Sequence, residues 1–307
     1  MDKKLHISSS PHFHSNITTK SIMLDVIIAL IPAFVAGVIF FGVSALLLVG
    51  VCVLTCVFCE FIFNYIVKKE QTIGDLSAVV TGLILGLNIP SNLPVWQAVV
   101  GSVFAIIVVK CIFGGIGCNV VNPAITARVF MLIAFDSMAK VAFPLDAVST
   151  ATPLAELAEG KMPSLVDAFI GNIGGAIGET SALALLIGGL YLIFKKVITW
   201  HIPVSFIGSV FVLSFLLDGF NFTSALLWIL SGGLFIGAFF MATDYVTSPS
   251  TALGKIIFGV GAGFITVVIR FYGNYPEGVS FAILMMNILN PYIDSLTQRK
   301  LFGGNKK

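Results

Sequence analysis

The chain has 307 residues, of which 57% are hydrophobic and 10% are charged, and its formal net charge is +2. Because soluble domains carry about 25% charged residues, this composition excludes an ordinary soluble domain and predicts an integral membrane protein. The small net charge and the lack of a basic stripe interleaved with aromatic residues exclude nucleic acid as a partner.

Ten apolar stretches follow a polar N-terminal segment. The hydrocarbon core of a bilayer is about 30 Å thick, so a helix needs roughly 20 apolar residues to cross it. The first stretch is too long for the core of a signal peptide and lacks a small-residue cleavage site, which predicts a retained membrane helix. The third and fifth stretches are short, and at membrane depth such segments require cover by protein or a cavity. The stretches are residues 22–42, 44–66, 76–89, 94–113, 119–135, 180–198, 203–218, 222–241, 254–272 and 277–294.

Lysine and arginine predict the orientation of these helices, because basic residues concentrate in cytoplasmic loops. With a cytoplasmic N-terminus, most basic residues lie on the cytoplasmic side, and only Lys140, Lys161 and Arg270 lie outside. We therefore expect a multi-pass protein of a bacterial cell membrane, with both termini in the cytoplasm and the acidic linker 136–179 outside.

Acidic side chains occur in the first two apolar stretches, Asp25 in the first and Glu60 in the second. Carboxylates at membrane depth are functional hypotheses by default, so both are candidates for an ion path. Glu60 lies near a helix end, and a side chain that reaches out to solvent is the alternative there.

Five cysteines lie in or beside apolar stretches, which favours reduced thiols in the core over a secreted disulfide framework. Cys52, Cys56 and Cys59 are spaced to share one helix face. Iron–sulfur ligand sets use closely spaced cysteines in loops. We therefore interpret this face as packing and predict no metal site.

The densest cluster of polar residues and glycines is Lys110–Ala124. Its glycines permit a tight turn, and Pro123 predicts that a helix starts directly after Asn122. Asn119 and Asn122 then lie at or before a helix N-terminus, where caps and electron-rich groups are favoured. A capped, broken helix without a ligand is the alternative.

Arg128 lies inside the fifth apolar stretch. A cation at this depth marks either a partner charge or a cavity. Its planar fork of donors suits a buried ion pair, and it also suits the oxygen atoms of a bound cofactor.

Two apolar stretches, residues 95–110 and 255–270, resemble each other, and Lys110 aligns with Arg270 at the same offset. Five stretches in each half mean that the second half enters the membrane from the opposite side. This is the pattern of an inverted repeat, which is common in transporters.

The linker 136–179 contains no apolar span, and linkers of this length are functional or disordered. It contains the spacing Asp-x-x-Ser-x-Ala-Thr at Asp146, Ser149, Ala151 and Thr152. The hydroxyls of such a segment act as hydrogen-bond partners or as acylation and phosphorylation acceptors. A solvated Ser/Thr loop is the alternative.

The second half contains two further motifs. A polar break, Asp244–Lys255, includes Thr-Ser-Pro and separates two apolar stretches. Asp244 is a candidate for an ion path or for a cap at a helix end. After Arg270 the chain contains a Tyr-Pro-Glu-Gly turn and then Asn-x-x-x-Pro-x-x-Asp, from Asn287 to Asp294.

Together these motifs resemble the D subunit of Rnf complexes and the related B subunit of the sodium-translocating NADH:quinone oxidoreductase. The short N-terminus is more similar to the Rnf protein. In this family a flavin transferase joins the phosphate of FMN to the last threonine of the linker motif through a phosphoester. The resemblance therefore implies covalent FMN on Thr152, with Asp146, Ser149 and Ala151 completing the flavinylation motif.

The family resembles the urea-transporter architecture. The resemblance implies an all-α integral membrane protein of about ten transmembrane helices in two inverted five-helix repeats. In chain order it implies a cytoplasmic tail, the first repeat, an extracytoplasmic linker, the second repeat and a cytoplasmic tail. In the same order, these five segments are residues 1–20, 21–135, 136–179, 180–294 and 295–307.

The resemblance also implies a membrane flavoprotein subunit of a complex that couples electron transfer between ferredoxin and NAD to export of Na⁺ or H⁺. Alone, such a protein leaves the reaction incomplete. The implied partners are Rnf subunits of the A, B, C, E and G types, a flavin transferase and the lipid bilayer. A second, non-covalent flavin such as riboflavin is expected near Asn119, Asn122 and Arg128.

A secondary transporter or channel for a small polar solute is the alternative function. It rests on the inverted repeat, and one fold hosts many functions. A structural membrane scaffold is a third option. The linker motif discriminates between these functions, because a solute channel needs no flavinylation site.

Overall fold

The computed structural model describes residues 17–139, 142–144, 153–158, 162–273 and 278–298. Every regular element in these ranges is helical, which confirms the all-α prediction. The helices of the first half are α1 (Thr19–Phe41), α2 (Val43–Val67), α3 (Ser77–Leu87), α4 (Val95–Val103, continued as a π-helix over Phe104–Cys111) and α5 (Pro123–Ala134).

Two short helices come from the linker, and the second half follows it. The linker helices are α6 (Pro153–Ala158) and α7 (Leu165–Ile170). The helices of the second half are α8 (Ala182–Phe194), α9 (His201–Leu217), α10 (Phe222–Leu230), α11 (Leu234–Ile236, continued as a π-helix over Gly237–Met241), α12 (Ala252–Tyr272) and α13 (Val279–Thr297).

Each of the ten predicted apolar stretches contains helix. Within the described residues, α1, α2, α12 and α13 are long and apolar enough to cross a membrane, and the bent pair α10 and α11 is a fifth candidate. The remaining apolar helices, α3, α4, α5, α8 and α9, are 10–17 residues long. The multi-pass character is therefore supported, while the number of complete crossings stays a prediction.

The helix break before α5 forms where the Asn-Pro pair predicts it. The Asn122 Oδ1 accepts hydrogen bonds from the backbone N–H groups of Ala124 at 3.0 Å and Ile125 at 3.3 Å. Pro123 occupies the first helical position, where its missing N–H costs no hydrogen bond. The helix therefore begins at Pro123, several residues inside the predicted stretch.

The predicted stretch 222–241 is not one continuous helix. The axes of α10 and α11 are bent by 65° at the residues between them. We call these residues, Ser231-Gly232-Gly233, the break. Gly232 has φ +70°, a conformation that residues with a Cβ rarely adopt. Because the residues on both sides of the break are apolar, hydropathy alone predicts one continuous span there.

Small residues allow the closest helix packing. Gly259 and Gly263 of α12 lie against Ser205 and Ser209 of α9, so these two backbones approach closely. Helix α1 packs along α8, which joins the two halves. Large apolar side chains on the outer faces of α1 and α2 are exposed, as expected for a surface that contacts lipid.

The helices end in two different kinds of structure. At one end of the bundle, the beginnings of α1, α3 and α5 and the ends of α4, α8 and α11 surround a cavity, and we call this the cavity end. At the other end, α6 and α7 pack on α10 beside the end of α12, and we call this the linker end.

Candidate functional site

The cavity end contains a cavity of about 390 Å³ between the two halves of the chain. Ligand pockets measure about 300–1,000 Å³, so this space suits a small organic molecule. Its walls are mainly apolar. The polar residues that line it include Ser77, Lys110, Asn119, Asn122 and Asp244. The structure thus brings three of the predicted site residues, Asn119, Asn122 and Asp244, to one cavity.

Asn122 connects the two halves at the edge of this cavity. Its Nδ2 donates to the Met241 carbonyl at 3.4 Å. When the Asn287 amide is oriented to satisfy both neighbours, its Oδ1 accepts from the Asn122 backbone N–H at 3.2 Å and its Nδ2 donates to the Thr247 carbonyl at 3.2 Å. Asn287 was noted in the sequence only as part of a motif, because its partners are remote along the chain.

Asn119 lies on the turn that follows the π-helix of α4. The glycines of this turn, Gly114, Gly115 and Gly117, all have positive φ, which confirms the predicted tight turn. The Asn119 Oδ1 is buried and has no hydrogen-bond partner among the described residues. Buried polar atoms in proteins are nearly always paired, so this oxygen is a candidate acceptor for a group bound in the cavity.

A buried ion pair lies on one wall of the cavity. The Lys110 Nζ is 3.0 Å from both carboxylate oxygens of Glu60 and donates to the Ser77 Oγ at 2.6 Å. The Thr72 hydroxyl donates to the Glu60 Oε1 at 2.7 Å and accepts from the Asn64 Nδ2 at 3.0 Å. Glu60 is only 2% exposed, so it does not reach out to solvent.

Lys110 is a polar cavity residue that the sequence analysis did not single out as a site. It was counted there as a cytoplasmic charge, yet it is only 2% exposed. Two signals pointed to it: its place at the end of an apolar helix and its alignment with Arg270. A buried pair of this kind is stable only when further hydrogen bonds satisfy its charges, and Ser77 and Thr72 supply them.

The other two acidic candidates lie near the same end. The half-buried Asp25 accepts a hydrogen bond from the Tyr191 hydroxyl at 2.9 Å, across the contact of α1 with α8. Asp244 accepts from the Thr247 hydroxyl at 3.2 Å. Part of Asp244 is exposed, but its carboxyl is closely surrounded, and this burial raises its pKa against the opposing effect of Thr247.

Arg128 is not among the residues that line the cavity. Its Nη2 lies 2.5 Å from the Glu179 Oε1, and its Nη1 donates to the Asn88 Oδ1 at 2.8 Å. Arg128 and Glu179 are 4% and 3% exposed. Of the two interpretations of Arg128, the structure therefore displays the buried ion pair, and it separates this residue from Asn119 and Asn122.

A second buried arginine binds at the break. The Arg270 Nη1 donates to the Trp228 carbonyl at 2.5 Å, and its Nη2 donates to the Ser231 carbonyl at 3.1 Å. These carbonyls belong to the end of α10, where a helix lacks its own donors. A cation is also favoured there by the helix dipole. Arg270 thereby stabilises the end of a half-helix inside the protein.

The linker motif lies outside the described residues. This concerns Asp146, Ser149, Ala151 and Thr152. Directly after Thr152, helix α6 begins at Pro153 and packs through Leu154 and Leu157 on α10.

The cysteines behave mainly as core residues. Cys52, Cys56, Cys59 and Cys111 are buried free thiols, as predicted, whereas Cys118 is exposed on the glycine turn. In the described ranges, no group of three or more His, Cys, Asp or Glu residues is arranged to hold a metal ion.

Known proteins are similar to this chain over nearly its whole length. The model of the NQR2, RnfD, RnfE family matches residues 6–303. The D subunit of the Na(+)-translocating ferredoxin:NAD(+) oxidoreductase complex of Acetobacterium woodii is 48% identical over 310 residues, which cover 98% of this chain and 96% of that protein.

Two further relatives are similar over nearly the whole chain. The D subunit of the proton-translocating ferredoxin:NAD(+) oxidoreductase complex of Clostridium ljungdahlii is 42% identical, over 97% of this chain and 96% of that protein. The D subunit of an ion-translocating oxidoreductase complex of Yersinia enterocolitica is 34% identical, over 97% of this chain and 98% of that protein.

Proposed function

Because the chain belongs to the NQR2, RnfD, RnfE family, we propose that it is the D subunit of an ion-translocating ferredoxin:NAD⁺ oxidoreductase complex. It acts there as a membrane protein that passes electrons onward, together with the other Rnf-type subunits. One relative is named for Na⁺ and another for protons, so the exported ion is Na⁺ or H⁺.

The protein carries covalent FMN on Thr152, attached by a flavin transferase. The linker motif Asp146, Ser149, Ala151 and Thr152 supports this assignment and is the observation that carries it. Flavin supplies the reversible one- and two-electron chemistry that protein side chains lack. The chain supplies the hydroxyl that holds it and, in helix α6, an ordered segment directly after the acceptor.

The cavity holds a second, non-covalent flavin, of which riboflavin is the simplest form. The volume and the apolar walls of the cavity fit an aromatic ring system. The unpaired Asn119 Oδ1 fits a ring N–H, and an amide also offers donors for the neighbouring ring carbonyls. Lys110 and Asn122 line the same space. Arg128 stays a candidate contact from the sequence, although its ion pair with Glu179 favours a structural role.

The helices form about ten transmembrane segments in two inverted five-helix repeats, residues 21–135 and 180–294. Helix in each predicted stretch supports this topology, as does the contact of α1 with α8 across the halves. The cavity end faces the cytoplasm with both termini, and the linker end faces the outside of a bacterial cell membrane. The distribution of basic residues supports this orientation.

Asp25, Glu60 and Asp244 are candidates for the ion path. All three lie near the cavity end, where an ion entering from the cytoplasm would first meet the protein. Glu60 is neutralised by Lys110, whereas the raised pKa of Asp244 suits a group that exchanges protons.

Attachment of FMN is tested by co-expression with the flavin transferase. The denatured wild-type band should fluoresce under ultraviolet light, and the peptide with Thr152 should be heavier by one FMN less water. Thr152→Ala should be dark, whereas the control Thr150→Ala should fluoresce. A dark wild-type band contradicts the proposal and favours a solute transporter, whereas an adduct on another residue contradicts the assignment of the attachment point to Thr152.

A further inference from the structure

The break between α10 and α11 contacts the linker at two places. Leu154, near the start of α6, lies against Gly232, where a Cβ would be 2.6 Å from the Leu154 Cδ1. Glu179, just before α8, lies against Gly233, where a Cβ would be 2.5 Å from the Glu179 Oε1. Two adjacent glycines therefore receive two linker residues, Leu154 and Glu179, and neither position has room for a side chain.

The contact of Leu154 is part of an apolar cluster at the linker end. Leu154 and Leu157 of α6 pack there with Leu227 and Trp228 of α10 and with Ala168 of α7. Helix α6 has only six residues, and isolated helices of that length are unstable in water. The order of α6 therefore depends on the surface against which it packs.

Two buried arginines, one from each half, hold this surface in place. Arg270 binds the carbonyls of Trp228 and Ser231 at the end of α10, and a Cβ on Gly232 would lie 3.1 Å from its Nη2. Arg128 binds Glu179 beside Gly233. Arg270 thus binds the backbone at the break, and the ion pair of Arg128 with Glu179 lies beside it.

We propose that the break is the seat that positions the flavin-bearing linker, with Gly232, Leu154 and Arg270 as positioning residues. The proposal rests on the function proposed above, in which FMN is attached to Thr152. Since α6 begins directly after Thr152, the seat holds the chain two residues beyond the attachment point. Fixed placement matters because misplacing a reacting group by about 1 Å can slow a reaction about 100-fold.

The main test compares Gly232→Ala with the matched control Gly219→Ala. Gly219 has φ +68° and Gly232 has φ +70°, so both substitutions impose similar backbone strain. A Cβ on Gly219 meets nothing within 4 Å, whereas a Cβ on Gly232 meets Leu154 and Arg270. A difference between the variants therefore reports the contact and not the strain.

We expect both variants to keep the wild-type amount of covalent FMN, read from the denatured band and the peptide mass. In the assembled complex with Gly232→Ala, the fluorescence anisotropy of the attached flavin should fall. Its reduction through the complex by reduced ferredoxin should slow about tenfold or more. Gly219→Ala should match the wild type in both measurements.

A second variant keeps the test decisive if Gly232→Ala does not assemble. Leu154→Ala removes the nearest atoms that the new Cβ would meet, those of the Leu154 side chain, and adds no backbone strain. It should lower the anisotropy, whereas Leu296→Ala, at a residue that is 84% exposed, should not. The double variant Gly232→Ala/Leu154→Ala should be slowed by less than the sum of the two single effects, because residues in contact are not additive.

If Gly232→Ala and Leu154→Ala both keep the wild-type anisotropy and the wild-type rate of flavin reduction, the proposal that the break positions the linker is wrong. Additive slowing in the double variant also overturns it, since the two residues then act independently. A wild-type chain without covalent FMN instead overturns the proposed function, and the denatured band shows this before any variants are compared.

Discussion

Each end of the bundle contains a buried cation in the last turn of a helix, and the two ends use this cation differently. Lys110 and Arg270 align in the repeated stretches, and each is the basic residue in the last turn of its helix. At the cavity end Lys110 binds a carboxylate and a hydroxyl. At the linker end Arg270 binds two backbone carbonyls. An ammonium is a compact point charge and a guanidinium is a planar fork. The shape of each cation therefore suits the partner that it binds.

The largest effect is expected at the cavity end, on removal of Lys110. Lys110→Met leaves the Glu60 carboxylate buried without its cation, and breaking a buried pair costs about 3–5 kcal/mol. Lys110→Met/Glu60→Gln removes both charges and should recover most of this loss. Thermal unfolding of the detergent-solubilised complex measures both changes. A single variant as stable as the wild type would mean that Lys110 does not stabilise this end.

A smaller effect is expected at the linker end, on removal of Arg270. Arg270→Ala leaves the carbonyls of Trp228 and Ser231 without their donor, and because both are uncharged acceptors we expect a total loss of about 1–3 kcal/mol. Arg270→Lys keeps the charge but not the fork, so its stability should be intermediate. The same unfolding measurement applies. If Arg270→Lys matches the wild type, the fork geometry is irrelevant and the contrast with Lys110 disappears.

The smallest effects are expected on removal of either of two asparagine side chains at the cavity end. Asn122→Ala removes a helix cap and should lower the free energy of unfolding by about 1 kcal/mol. Asn119→Ala removes no described bond of Oδ1, so stability should hold, while affinity for non-covalent flavin should fall about tenfold for one lost hydrogen bond. Flavin released from the native complex by acid measures the second effect. Unchanged release from Asn119→Ala would remove this residue from the flavin site.

Prediction from the sequence succeeded where the signal was local. The Asn122-Pro123 pair predicted the start of α5, because a cap and a proline act on the backbone beside them. The glycine turn before Asn119 was predicted for the same reason. The broken helix at Gly232 was missed, since the flanking residues are apolar enough to satisfy a span and glycines inside membrane helices are common.

The partners of the buried charges were not predictable in this way. The sequence identified Arg128 and Glu60 as costly at membrane depth, but it left the partner of each open. Arg128 meets Glu179 only because α5 packs beside the segment before α8. Lys110 meets Glu60 only because α4 packs on α2.

By itself, the sequence determined the helical class, the membrane setting, the family and the proposed point of flavin attachment. Each of these follows from composition, hydropathy or a short motif, which act along the chain. The tertiary structure alone decided that two asparagines and Lys110 share a cavity, and that the linker packs on a broken helix. Such contacts join residues far apart in the chain, and their energy depends on distances of a few ångströms that only packing sets.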